Sequence, residues 1–133
     1  MGSSAPRILY TDNNADSFGL ISLMLRLADN DYEITSVLNP NEALELIESQ
    51  PAFDLYILEY VLTGMSGVEL CRRIRRSDAT TPVLFFTAMA RASDRAAALE
   101  AGANEYLVKP NDLAILTQTV RQLLSEKSFQ PLV

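Results

Sequence analysis

Glu59 closes a run of four apolar residues, Leu55 to Leu58, and the question is what a carboxylate does at the end of such a run. Left unpaired beside a buried strand it would be costly, so it needs a cation or hydrogen-bond donors. Glutamate is also a poor helix cap, which removes the simplest structural use for it. Other apolar runs stop on polar groups as well. Arg7–Thr11 leads into Asp12-Asn13-Asn14, Pro82–Phe86 into Thr87, and Asn104–Val108 into Lys109-Pro110. Together these supply two carboxylates, a hydroxyl and an ammonium, the parts of an ionic site. The chain has no histidine and one cysteine, Cys71, which excludes a zinc site, histidine acid–base catalysis and an internal disulfide. No G-x-G-x-x-G or Walker-type loop is present, so nucleotide binding has no support.

Whether those polar ends meet depends on the elements that carry them. At 133 residues the chain has the length of one domain, able to bury very roughly two-thirds of its unfolded surface. Hydrophobic residues make up 48% and charged residues 21%, which fits a globular protein and not a disordered one. The net charge of −6 gives a nucleic-acid groove little to draw on, so no nucleic acid is expected to touch this domain. No apolar run has the length of a membrane span and no signal-peptide core follows the N-terminus; the cytoplasm is the expected location. Residues 1–5, small and polar, read as a floppy N-terminus or vector remnant, residues 6–127 as the domain, and residues 128–133 as a tail.

Strand-like runs at 7–11, 32–38, 53–58, 82–87 and 104–108 alternate with segments of helical period. Phe18, Ile21, Leu25 and Ala28 repeat at helical spacing; so do Ala43, Leu46 and Ile47, then Val68, Cys71 and Ile74, and finally Leu113, Leu116, Val120, Leu123 and Leu124. Asn39-Pro40-Asn41-Glu42 spells a cap, a first-turn proline and a capping-box acid. Ser93 is expected to cap the fourth helix and Gly102 to end it. Cys71 reads as core, and "CRRIRR" as the exposed face of the third helix.

Five strands alternating with five helices predict an α/β three-layer sandwich around a parallel sheet. Ligand crevices in such sheets lie beyond the carboxyl ends of the strands. The polar ends listed above fall on that edge. Singly, each has an ordinary explanation: Asp12 or Asn14 as a helix cap, Thr87 as a β-branched strand residue, Lys109 as a solvated lysine. Their coincidence at one edge predicts a site.

The string "RILYTDNN…FDLYILEYVLTGMSGVELCRRIR…TPVLFFTAMA…AGANEYLVKP" resembles the receiver domain of two-component response regulators over about residues 6 to 126, "AGANEYLVKP" most specifically. The resemblance implies a flavodoxin-like fold of strand order 2-1-3-4-5 and membership of a phosphorelay. It also implies an acidic pair and a third-strand aspartate that bind magnesium, that aspartate accepting a phosphoryl group from a histidine kinase. Residue by residue, Asp12 matches the first acid, Thr87 the hydroxyl that holds phosphoryl oxygens, Tyr106 the aromatic that swings inward on activation, and Lys109 the cation. A cis Lys109–Pro110 peptide is implied as well. The pattern is broken where the chemistry lies. Glu59 stands at the phosphoacceptor position and Asn13 at the second acid, while Thr63 replaces a loop proline.

Glutamate reaches about 1.5 Å further than aspartate. About 1 Å of misplacement can cost 10²-fold in rate. Losing the Asn13 acid weakens a magnesium site formed by Asp12, Glu59 and the Val61 carbonyl, so no cofactor is expected and any Mg²⁺ binding should be weak. A direct Glu59–Lys109 pair, with Thr87 donating to Glu59, is expected in its place. The resulting expectation is an atypical, non-enzymatic receiver. It would act without phosphorylation, through contacts with a protein partner (histidine kinase, output domain or other signalling protein) on the face around Tyr106, as a monomer or weak dimer. A conventional receiver using Glu59, a flavodoxin-like small-molecule module and a small hydrolase using Asp12 are the alternatives. With no output domain read after the last helix, a single-domain regulator and a fragment of a longer one are both open.

Overall fold

The computed structural model describes residues 5–29 and 31–128; residues 1–4 of the segment expected at 1–5 and residues 129–133 of the tail expected at 128–133 lie outside them. The strands are β1 (Arg7–Thr11), β2 (Glu33–Val37), β3 (Leu55–Leu58), β4 (Val83–Thr87) and β5 (Glu105–Val108). Between and after them come α1 (Ala15–Ala28), α2 (Pro40–Ser49), α3 (Gly67–Ser77), α4 (Ala92–Ala101) and α5 (Leu116–Ser128). All strand pairs are parallel and the order is β2-β1-β3-β4-β5, the flavodoxin-like arrangement expected.

Alternation along each strand divides the interior into two cores. Ile8, Tyr10, Ile57, Phe86 and Leu107 face α1 and α5, meeting Ile21, Leu25, Leu116 and Val120. Leu9, Tyr56, Leu58, Phe85 and Tyr106 face α2, α3 and α4, meeting Ala43, Cys71, Ile74 and Ala98. Every residue of β3 and β4 is buried, which is why those strands read as continuous apolar runs. Cys71 is core, its Sγ 3.5 Å from the Ala101 carbonyl.

Several local expectations are corrected. Asn39 caps α2 by accepting from the Glu42 N–H at 2.9 Å, but the Glu42 carboxylate takes the Asn39 side-chain amide, not its backbone N–H. α4 starts at Ala92, so Ser93 lies inside the first turn. The Asp94 carboxylate caps instead, accepting from the Arg91 N–H at 3.3 Å and from its guanidinium at 3.2 Å. Leu113 belongs to a 3-10 turn at Asn111–Ile115, where the Asp112 carboxylate reaches back to the Val108 N–H at 2.8 Å. Ala28, placed on the apolar face of α1 by its spacing, is exposed at the helix end. Gly102 ends α4 with φ 117°, as expected.

Candidate functional site

The carboxyl ends of β1, β3, β4 and β5 surround an open depression of about 240 Å³ lined by Asp12, Glu59, Thr87 and Lys109, with Asn13 and Met89 at its rim. Local structure delivers each group. Asp12 leaves β1 just before Asn14, and it is Asn14 that caps α1, accepting from the Asp16 and Ser17 N–H groups. Asp12 is thereby free to face the pocket. Glu59 follows β3 and its backbone abuts α3: a Cβ on Gly67 would stand 2.2 Å from the Glu59 carbonyl, so only glycine lets the helix start there. Lys109 precedes Pro110 across a cis peptide bond.

Lys109 Nζ lies 3.0 Å from Asp12 Oδ2 and 3.2 Å from Glu59 Oε1, so the expected Glu59–Lys109 pair is present and extends to Asp12. The two carboxylate side chains are 2% and 12% exposed. Tyr10 adds a hydrogen bond to Asp12 Oδ2 at 3.0 Å, and the Asn14 N–H one to Oδ1 at 3.0 Å. Burial pushes the Tyr10 hydroxyl pKa well up, and the adjacent Asp12 charge pushes it further, so Tyr10 stays a donor. Glu59 Oε2 accepts from the Tyr60 N–H at 2.6 Å, the Val61 N–H at 3.2 Å and the Thr87 hydroxyl. Thus each of the four carboxylate oxygens already has a donor.

A second chain of contacts leaves the pocket through Thr87. Its Oγ1 accepts the Met89 N–H at 3.2 Å, and the Met89 carbonyl accepts the Tyr106 hydroxyl at 2.6 Å. Tyr106 is 2% exposed and stacks on Phe85 with ring centroids 5.7 Å apart. Burial, then the charge on Asp94, push its hydroxyl pKa up to about 12. Glu59 and Tyr106 are therefore joined by a continuous line of hydrogen bonds through β4 and the loop after it.

A magnesium ion implied by the resemblance is a poor fit to these residues. It demands oxygen ligands in near-octahedral array. Here the ammonium of Lys109 lies between the two carboxylates, Val61 presents its N–H to Glu59, and Asn13 is exposed at the mouth, outside the cluster. No group of three or more metal-capable His, Cys, Asp or Glu converges among the described residues.

Two participants were missed in the sequence. Tyr10 sits two residues before Asp12 on the same strand face, a relation that period-two alternation could have revealed. Met89 contributes only backbone groups, which leave no mark on residue type.

The parallel 2-1-3-4-5 sheet with acid, hydroxyl and lysine at its carboxyl edge defines the class: a doubly wound α/β domain with an ionic site at the carboxyl ends of its strands. The family described as "Response regulator receiver domain" matches residues 8–121, and the chain belongs to it. It is 35% identical over 127 residues to the "Transcriptional regulatory protein PrrA" of Mycobacterium leprae, covering 95% of this chain and 53% of that protein. The chain thus spans about half the length of such curated relatives. The crystal structure of a CheY-like response regulator receiver domain protein from Methanospirillum hungatei superposes with TM-score 0.85 at 25% identity, covering 94% of this chain and 98% of that one. The response regulator TrrA from Thermotoga maritima, solved in complex with Mg²⁺-BeF, superposes with TM-score 0.78 at 30% identity, covering 89% and 98%. Among the described residues no helix is long and apolar enough to cross a membrane.

Proposed function

We propose that this receiver signals without being phosphorylated, with Glu59 in the place of the phosphoacceptor holding Thr87 and Tyr106 inward. The observation that carries this reading is the hydrogen-bond line from Glu59 through Thr87 and Met89 to Tyr106. In the family that Tyr106 matches, the inward aromatic goes with activation. Glu59 takes the hydroxyl of Thr87 and the ammonium of Lys109, the two groups that by resemblance would hold phosphoryl oxygens. One glutamate charge replaces roughly −1.5 to −2 on a phosphorylated side chain. Its extra length lets it reach both donors, so the mimicry is geometric first and electrostatic second.

The same contacts argue against group transfer. An attacking oxygen needs a free lone pair aimed along the line of displacement, and charge neutralisation on the phosphoryl group. Glu59 Oε2 accepts from three donors and Oε1 is held by Lys109. Magnesium, bound by the Thermotoga relative, is expected to be weak here because Lys109 occupies the two carboxylates it would need. The domain then works as a non-enzymatic cytoplasmic module, and its partner is a protein: a histidine kinase, an output domain or another signalling protein. The docking face lies around Tyr106, where Arg95 is 5.9 Å from the ring centroid and donates to the Tyr106 carbonyl.

The test is acetyl phosphate labelling with magnesium, read by intact mass, on four proteins: the parent, Glu59→Asp, Asn13→Asp and the double variant. The parent and both singles are expected to stay unlabelled. The double variant, with reach and metal ligand both restored, is expected to label at least about 10²-fold faster. Robust labelling of the parent would overturn the proposal.

A further inference from the structure

The outer face of α1 is apolar. Leu20, Leu23 and Leu27 are 51%, 57% and 78% exposed, while Ile21 and Leu25 on the opposite side already pack into the core. Single exposed leucines are ordinary on a protein surface, but three aligned on one helix form a patch. Asp16, Leu20, Leu23 and Leu27 follow one another at intervals of four, three and four residues, the seam spacing of paired helices. Gly19 flanks that seam. A glycine inside a helix costs helix stability, and a Cβ built there meets nothing within 4 Å, so nothing among the described residues requires its absence. A missing side chain beside an exposed apolar seam suits the close approach of another helix.

The flanking charges say which helix. Asp16 and Arg26 are both exposed at opposite ends of α1, and neither joins an ion pair with the other described residues. A parallel second copy would set Asp16 against Asp16 and Arg26 against Arg26. An antiparallel copy related by a two-fold axis, with Leu20 against Leu23 of the second copy, brings each Arg26 alongside Asp16 of the other. It does so twice, as an isologous interface must. We infer that α1 is a self-complementary docking face on which a second copy of this chain packs its own α1, antiparallel and two-fold related. The 14-residue helix is about 21 Å long, so the contact falls in the small, reversible class of interfaces.

Sedimentation of the full chain up to about 1 mM tests this. A concentration-dependent monomer–dimer equilibrium is expected. Leu23→Glu should raise its dissociation constant at least about 10-fold, because the seam loses its central leucine from both copies. Asp16→Lys and Arg26→Glu should each weaken association about 3-fold, and the two together should return to within about 2-fold of the parent. Thermal unfolding of each variant checks that the fold survives. A chain monomeric throughout overturns the inference, as does a dimer indifferent to Leu23→Glu. A double reversal weaker than either single overturns the antiparallel pairing. Capture of α1 by a different helical protein, with no self-association, assigns the face to another occupant and also refutes it.

Discussion

Two basic side chains tie loops together at opposite edges of the same sheet, and their acceptors differ in kind. At the amino ends of β4 and β5, Arg75 donates to the carbonyls of Asp78, Thr81 and Gly102 and to Asn104 Oδ1, at 2.7–3.1 Å. At the carboxyl ends, Lys109 lies between Asp12 and Glu59. Arg75 satisfies neutral acceptors that have no state but to be bonded, and its rigid fork of donors suits several carbonyls at once. Lys109 instead balances two carboxylates that are largely removed from water. Charges so placed are costly unless paired, and their mutual arrangement depends on which cation or anion is present. One edge is therefore fixed by neutral partners, and the other is held by a balance of opposite charges. On the proposed function, Glu59 brings the second closer to the first, by supplying from within the chain a carboxylate where a phosphoryl group would stand in a phosphorylated receiver.

The largest expected effect tests that conversion. Lys109→Met leaves Asp12 and Glu59 with no ion-pair partner among the described residues and should lower unfolding stability by about 3–5 kcal/mol near neutral pH. Adding Glu59→Gln removes one of the two stranded charges, so the double variant should recover a large part of the loss in urea denaturation. A cost under about 1 kcal/mol would mean that the cluster behaves as an exposed ion pair and that the contrast between the two edges is false.

Next in size is Arg75→Met, which keeps the aliphatic stem and deletes the donors. Four acceptors lose a partner, and several can recruit water, so about 2–3 kcal/mol is expected. The cost should add to that of Glu59→Gln within about 0.5 kcal/mol, because the two sites share no partner. Coupling above that size would show the two edges to be energetically linked.

The fold was legible in the sequence because a parallel sheet covered on both faces leaves continuous apolar runs, and β3 and β4 are buried at every position. Strand ends were less so. Phe53 and Asp54 look like the start of β3, yet the Asp54 carboxylate accepts the Arg7 N–H and its own N–H goes to the Arg7 carbonyl, so pairing in register begins at Leu55. The pocket residues were legible as strand-terminal polar groups, one to each of four runs, the run at 32–38 supplying none. Arg75 was not, since "CRRIRR" looks like a solvated charge run. Arg72, Arg73 and Arg76 are exposed as expected, but Arg75 turns inward to acceptors in loops distant in sequence. Backbone acceptors carry no sequence signature, and the same reason hid Met89.

The smallest effect concerns the end of the line that leaves the pocket. Tyr106→Phe deletes the hydroxyl that reaches the Met89 carbonyl and keeps the ring against Phe85, so about 1 kcal/mol should be lost at neutral pH. Its pH dependence separates this hydrogen bond from packing. Burial raises the Tyr106 pKa from 10.0 to about 12, so the folded state holds the proton more tightly than the unfolded chain. The stabilisation is then complete below pH 10 and is lost as pH rises through about 12, where the unfolded state binds fewer protons. Tyr10, Tyr32 and Tyr56 are shifted in the same direction and contribute to alkaline unfolding in both proteins. The quantity to follow is therefore the parent-minus-Phe difference, from urea unfolding at a series of pH values. It should stay constant up to about pH 10 and shrink above it, because only the parent carries the ionisable group at position 106. A difference that stays flat through pH 12 would place the Tyr106 hydroxyl in water. The line from Glu59 would then stop at Met89.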